Sequence, residues 1–176
     1  MSPYGLSKVA AERYVELWRE QSGGECVVLR LTNVYGPRQN AQGEAGVVSI
    51  FTERALDRRP CIVNADGEQT RDFVFVGDVV DAAVRAVDRP AVAGVFNVST
   101  GRETSINELT CELLRVLPAS PTVSHGPVRS GEQRRSVLDP RRAAEYLGWQ
   151  ASTALAEGLR MTVTAAVDRR SAQGDD

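Results

Sequence analysis

A single histidine, His125, and three widely spaced cysteines, Cys26, Cys61 and Cys111, are all the soft metal ligands in this 176-residue sequence. Neither set has a zinc-type spacing. His125 lies in the turn-forming run Ser124-His125-Gly126-Pro127 and reads as a surface residue in a loop, not as the base of a Ser-His-Asp triad. Metal catalysis and triad hydrolysis therefore lose most of their support. The odd cysteine count suits small buried or half-buried apolar side chains in a reducing compartment, not a disulfide framework. No apolar run approaches the ~20 residues of a membrane-spanning helix, and no signal-type apolar stretch follows Met1. The expectation is a cytoplasmic protein without a membrane partner. A net charge of -2 gives no basis for a nucleic-acid partner either. The last absence has the widest consequence. No G-x-G-x-x-G or G-x-x-G-x-x-G run occurs anywhere, so no glycine turn brings a dinucleotide pyrophosphate to a helix N-terminus.

What is present alternates between helical and strand-like patterns. Residues 3 to 22 predict a helix, with Leu6, Ala10, Tyr14, Leu17 and Trp18 on one side and Glu12, Arg13, Glu16, Arg19 and Glu20 facing water. Ser2 suits its cap, Pro3 its first turn and Gly23-Gly24 its end. The run Cys26 to Thr32 is nearly unbroken apolar and β-branched, the pattern of a strand buried on both faces of a parallel sheet. A loop is expected from Asn33 to Gly46, a helix over Val47–Arg58, a strand over Pro60–Asn64 and a turn at Ala65 to Glu68. Phe73–Val76 reads as a strand that leads into a helix over Val79–Asp88, with Asp78 as its cap. Val95–Val98 is a further strand, and Ser105-Ile106-Asn107-Glu108 opens a helix with a capping-box pattern. Residues 118 to 127 are expected as a loop, Asp139-Pro140 to Gly148 as a short helix, and Ser152 or Thr153 as the cap of a last helix to about Arg169. The remainder, 171–176, is expected to be a disordered tail.

The chemistry concentrates in a few runs. Tyr4 and Lys8 are four apart, so on a helix they share one face. A phenol titrates near pH ~10 and becomes a useful base only when its anion is stabilised. An ammonium one turn away does that. Alone, such a spacing is common by chance. Asn33-Val34-Tyr35-Gly36-Pro37-Arg38-Gln39 follows a buried strand directly, where open α/β sheets bind ligands. Arg71 lies beside a turn and a strand and Arg129 in a loop, and the planar guanidinium suits a diphosphate. Taken separately, both would be ordinary surface ion-pair residues.

As an ordered set, these stretches resemble the extended short-chain dehydrogenase/reductase family, and within it the NAD-dependent nucleotide-sugar 4-epimerases of the UDP-glucose epimerase type. The resemblance runs from Ser2 to about Val163. Ser2-Pro3-Tyr4-Gly5-Leu6-Ser7-Lys8 is similar to the Tyr-x-x-x-Lys active-site helix, and Gly67 to Val76 to the Gly-x-Gln-Thr-Arg-Asp-Phe segment. Asn97 to Glu108, Arg129 to Asp139 and Leu147-Gly148-Trp149 are similar to later stretches. The resemblance implies an α/β fold: the C-terminal part of a Rossmann-like parallel sheet plus a small α/β substrate-binding region. It implies Tyr4 as the base on the sugar 4-hydroxyl, and Lys8 as the residue that holds the nicotinamide ribose and lowers the phenol's pKa. Leu31 and Val34 would lie against the nicotinamide end of NAD. Asn33, Arg71 and Arg129 would hold the diphosphate of a UDP-sugar, Val47 and the strand to Asn64 would frame the uracil, and Glu132 would accept from a ribose hydroxyl. It also implies, for the full-length form, a homodimer through the first helix. Three positions depart from the family pattern: Asn64 replaces a common aromatic, Ala65 a common glycine and Glu132 the usual aspartate.

With the glycine-rich turn and its ribose-binding acid missing, the N-terminal dinucleotide-binding half is expected to be absent. Residues 1–170 then form the C-terminal portion of an NAD-dependent epimerase/dehydratase domain, from a truncated reading frame or a remnant gene. The favoured reading is an isomerase, inactive in this form, that epimerises a nucleotide sugar (UDP-glucose/UDP-galactose or an N-acetyl analogue) at C4 through a 4-keto intermediate. A nucleotide-sugar 4,6-dehydratase or decarboxylase is the alternative of the same fold, although Gly67 to Phe73 favours the epimerase. A non-catalytic protein that binds a UDP-sugar or a homologous subunit is the alternative of another class.

Overall fold

The computed structural model describes residues 3–42, 46–128, 131 and 133–174. Helix α1 (Pro3–Ser22) leads to strand β1 (Val27–Leu31), then β2 (Asn33–Tyr35) and α2 (Val47–Leu56). Strands β3 (Cys61–Asn64), β4 (Thr70–Arg71) and β5 (Phe73–Phe75) follow, with α3 (Val76–Val87) and β6 (Gly94–Val98). The rest is β7 (Thr104–Ser105), α4 (Ile106–Val116), β8 (Val123–Gly126), β9 (Arg135–Ser136), α5 (Arg141–Leu147) and α6 (Leu155–Gly174). The proposed cap Ser2 lies outside the described residues, as do Arg129 and Glu132.

The pairing is largely parallel, as the expected α/β class requires. β1 runs beside β6 with Val27 opposite Gly94 and Leu31 opposite Val98. β2 pairs β5, Asn33 opposite Phe73, and β3 pairs β8, Cys61 opposite Val123. β4 is sandwiched between β7, antiparallel, and β9, parallel. Two stretches expected as loops thus carry strands. Asn33–Tyr35 and Val123–Gly126 are too short to show a period of their own, and it is their partners β5 and β3 that hold them extended.

Strand β5 divides two apolar cores. Its side chains alternate, so Phe73 joins Tyr35, Phe51, Val63, Leu109 and Leu159 beneath α2, α4 and α6. Val74 turns the other way, to Phe96, Val98, Ala143, Leu147 and Trp149 beneath α3 and α5. Two buried acids bracket this strand. Asp72, fully buried, accepts from the backbone of Thr100 and Gly101 at 2.9 Å each and from Thr100 Oγ1 at 2.7 Å. Its own carbonyl accepts from Asn33 N at 2.9 Å. One residue thereby ties the ends of β1 and β6 to the start of β5.

Asp78 corrects an expectation. Helix α3 starts at Val76, and Asp78, 6% exposed, lies in its first turn instead of capping it. Its carboxyl accepts from Ser152 Oγ at 3.0 Å and from Thr153 N and Oγ1 at 3.1 Å, while its carbonyl accepts from Trp149 Nε1 at 2.9 Å. The acid acts on the α5–α6 connection, a contact across the fold that no local pattern encodes. The capping box at Ser105 forms as expected, with Glu108 N donating to Ser105 Oγ at 3.1 Å and Ser105 N donating to Glu108 Oε2 at 2.8 Å.

At both ends the chain departs from expectation. α6 continues to Gly174, past Arg169, and takes in residues assigned to the disordered tail; Asp175 and Asp176 lie outside the described residues. The helix is retained because Thr162 and Ala166 are buried on it and Arg170 pairs with Asp57 at 2.7 Å. β1 is only half-buried and ends in exposed Leu31 and Arg30, where burial on both faces was expected. α1 carries no buried residue at all. No helix among the described residues is long and apolar enough to cross a membrane.

Replacing Asp72 by alanine should leave the buried amides of Thr100 and Gly101 without acceptors. We expect a loss of about 3 kcal/mol in urea unfolding.

Candidate functional site

The Tyr4/Lys8 pair forms on one face of α1, as the spacing requires. Lys8 Nζ lies 4.9 Å from the centroid of the Tyr4 ring, over its face, and Ser7 Oγ donates to the Tyr4 carbonyl at 2.7 Å. Tyr4 is 56% exposed. Leu31 stands exposed at the end of β1, and Val34 is half-buried against the core around Val74 and Phe96.

A groove of about 410 Å³ brings four of the expected substrate residues together: Asn33, Val47, Asn64 and Arg71 line it. Tyr4 and Lys8 are not part of its wall. Each wall follows from its element. Asn33 opens β2 where β1 ends, pinned through its amide to Asp72. On α2, Val47, Ile50 and Arg54 are spaced by three and four residues and share the helix face turned to the groove. β3 supplies Ile62, Val63 and Asn64, and Ile106 at the start of α4 closes the side opposite. Apolar side chains thus form a slot, and guanidinium and amide groups stand along it. Such a wall accepts a flat ring and an attached anion.

Two polar wall residues escaped the sequence reading. Arg54 donates to the Pro60 carbonyl at 2.9 Å, which lays its side chain across the start of β3. Gln69 is 4% exposed, and its Nε2 donates to the Asn64 carbonyl at 3.1 Å, so it braces the end of β3. Gln69 stands just before β4, two residues from Arg71, and both line the groove.

The turn between β3 and β4 sets the height of that wall. Ala65 adopts φ 53°, the left-handed region, where the family pattern has glycine. Gly67 is also left-handed, and a Cβ there would meet Asn107 Oδ1 at 2.0 Å, so any side chain would be strained and would displace Asn107. Asp66 takes a two-pronged contact from Arg134 at 2.7 and 3.0 Å, and that guanidinium, with the Glu68 amide, holds its carboxyl down at about 2. His125 is exposed, as expected, but sits on β8, where its Nδ1–H donates to the Ala65 carbonyl at 2.8 Å.

A second cleft, about 430 Å³, shares Phe73 with the groove and is lined by Ser99, Thr100, Ser152 and Thr153. Those four hydroxyls are already committed: Ser99 to the Leu138 carbonyl, Thr100 to Asp72, and Ser152 and Thr153 to Asp78. The cleft is slightly larger, but the groove has the chemistry of a binding site.

Residues 1–99 match the model of the NAD dependent epimerase/dehydratase family. The chain belongs to this family. UDP-glucose 4-epimerase of Mycolicibacterium smegmatis is 49% identical over 92% of this chain and 52% of its own length. The crystal structure of UDP-glucose 4-epimerase with UDP-glucose from Thermotoga maritima shares 42% identity at a TM-score of 0.90, covering 97% of this chain and 55% of that one. The Thermus thermophilus enzyme in complex with NAD gives 38% and 0.85, over 93% and 53%. Family members with a different chemistry also match: UDP-glucuronic acid decarboxylase 1 of Arabidopsis thaliana is 31% identical over 93% of this chain and 37% of its own. The chain spans about half the length of the epimerases it matches.

Ala65→Gly should relieve the left-handed strain, partly offset by the extra freedom of glycine in the unfolded chain. The expected gain is about 0.5–1 kcal/mol, read from the shift of the urea midpoint.

Proposed function

We propose that this chain is the C-terminal, substrate-binding portion of an epimerase that inverts C4 of a UDP-sugar, glucose/galactose or the N-acetyl analogue, through a 4-keto intermediate. The observation that carries this reading is the groove that unites Asn33, Val47, Asn64 and Arg71. In it, Arg71 and Asn33 hold the diphosphate, while Val47 and β3 up to Asn64 frame the uracil. Arg129 and Glu132, outside the described residues, are assigned to the same substrate, the diphosphate and a ribose hydroxyl respectively. Tyr4 takes the proton from the sugar 4-hydroxyl, and the Lys8 ammonium favours the phenolate.

The cofactor of this reading is NAD, which supplies the redox chemistry of the reaction. The residues present fit only part of it. Tyr4, Lys8, Leu31 and Val34 suit the nicotinamide end, but the sequence has no glycine-rich turn for the pyrophosphate. The proton transfer at Tyr4 is therefore the one step assigned to this chain's own residues. Lys8 Nζ lies over the Tyr4 ring face, 4.9 Å from its centroid, one helical turn from the phenol-bearing residue.

A second reading, a decarboxylase or 4,6-dehydratase of the same fold, draws support from the Arabidopsis relative. We further infer a homodimer of the full-length form through α1, where Leu6, Val9, Tyr14 and Leu17 form an exposed apolar stripe. The three free cysteines agree with a cytoplasmic setting.

The 176-residue chain should bind UDP in calorimetry, and Arg71→Ala should weaken that binding by about tenfold or more. Arg71→Lys should fall between the two, since an ammonium keeps the charge but not the fork. The same chain should not bind NAD tightly or interconvert UDP-glucose and UDP-galactose. Robust turnover by it alone would refute the assignment of the cofactor to residues beyond these.

A further inference from the structure

Arg71, the groove guanidinium, stands on a very short strand. β4 is two residues long, Thr70–Arg71, and lies between β7 and β9. So short a strand forms too few ladder bonds to fix its own place. Its two side chains alternate, so Arg71 turns to the groove and Thr70 to the opposite face of the small sheet. On that opposite face a single carboxylate joins all three strands. Glu103, immediately before β7, accepts from Thr70 Oγ1 at 2.8 Å and from Arg135 Nε of β9 at 2.7 Å. Thr70 stands opposite Ser105 of β7 and Arg135 of β9, and the period of two brings Glu103 to the same face.

Thr70 passes this restraint on to Arg71. Its amide donates to the Arg134 carbonyl at 2.9 Å, and its own carbonyl accepts from Arg71 Nη1 at 2.7 Å. The hydroxyl, the amide and the carbonyl of Thr70 are all engaged, and the last of these contacts holds the guanidinium itself. A side chain held in place before its ligand arrives loses less freedom on binding. The ion pair behind it is an ordinary one: the Arg135 side chain is 70% exposed and that of Glu103 30%. Such a pair contributes little to stability by itself. The Arg135 guanidinium and the Thr70 hydroxyl keep the Glu103 carboxyl below its usual range, so it is ionised at neutral pH. What singles the carboxylate out is its place. Asp72 pins the residue after Arg71 to Thr100 and Gly101, and Glu103 pins the residue before it.

We propose that Glu103 and Thr70 are positioning residues for the anion-binding Arg71: the Glu103 carboxylate locks Thr70 between β7 and β9, and the Thr70 carbonyl holds the Arg71 guanidinium at the groove. Neither residue lines the groove, so both act on a ligand only through Arg71. This rests on the reading that Arg71 holds the diphosphate of a nucleotide. It does not depend on which sugar is attached.

The test is a double-mutant cycle on the full 176-residue chain, read by calorimetric titration with UDP. Glu103→Ala and Thr70→Val should each weaken UDP binding by about threefold to tenfold. Thr70→Ser keeps the hydroxyl and should bind as the unmodified chain does. In an Arg71→Ala background the same two changes should have no further effect. A merely structural role would not give that result, because losses from a loosened fold add to the loss at Arg71. Urea midpoints check that each variant folds. Where Glu103→Ala fails to fold, Glu103→Gln takes its place: it keeps an acceptor for Thr70, loses the charge opposite Arg135, and should weaken UDP binding by about twofold to threefold. Unweakened binding by the Glu103 and Thr70 variants, or penalties that add to that of Arg71→Ala, overturns the proposal and leaves the groove reading standing. No UDP binding by the unmodified chain, or unchanged binding by Arg71→Ala, overturns the groove reading and this proposal with it.

Discussion

Two buried acids six residues apart, Asp72 and Asp78, hold the fold around strand β5. Asp72 receives the amides at the end of β6 and the Asn33 amide contacts its carbonyl, while Asp78 receives the hydroxyls and amide before α6. A buried carboxyl is tolerated only when its oxygens are satisfied, and here the donors come from segments far apart in the chain. The acids therefore specify which loops lie against β5. Because Phe73 and Val74 send alternate side chains to the two cores, both cores depend on that placement.

The groove is a consequence of the same arrangement. Arg71 and Gln69 are carried by the residues just before Asp72, and Asn33 is held by the Asp72 carbonyl. Their positions are inherited from the buried acid. The opposite wall is set by the turn at Ala65 to Glu68, tied down by His125, Asn107 and Arg134. The chemical groups of α1 have no such support. Tyr4 and Lys8 sit on a helix tethered to β1 by the Arg30–Glu12 pair, with no residue buried. The residues proposed to hold substrate are built into the packed body, and the proposed acid–base pair stands on a helix with no buried residue.

Most of what was legible in the sequence was local. The helices, the buried run of β5 and the capping box at Ser105 all came from period, composition and cap chemistry. Asn33–Tyr35 and Val123–Gly126 were missed, because three or four residues carry no period and extend only against a partner strand. Asp78 was assigned to the nearest helix, since an acid at a helix start has the same local pattern whether it caps or reaches across. The groove residues Asn33, Val47, Asn64 and Arg71 were named through the order of their motifs; Arg54 and Gln69, which line the same groove, were not.

By itself the sequence determined the α/β class, the family, the residues available for acid–base and anion-binding work, and the lack of a pyrophosphate-binding turn. Those depend on residue identity and short spacings, which survive without any three-dimensional context. Tertiary structure alone decided that Asn33, Val47, Asn64 and Arg71 share one groove while Tyr4 and Lys8 lie outside it. It also decided that β1 is only half-buried and that α1 has no buried residue. Burial depends on what packs against an element, and an apolar strand reads the same in sequence whether its neighbour is present or not.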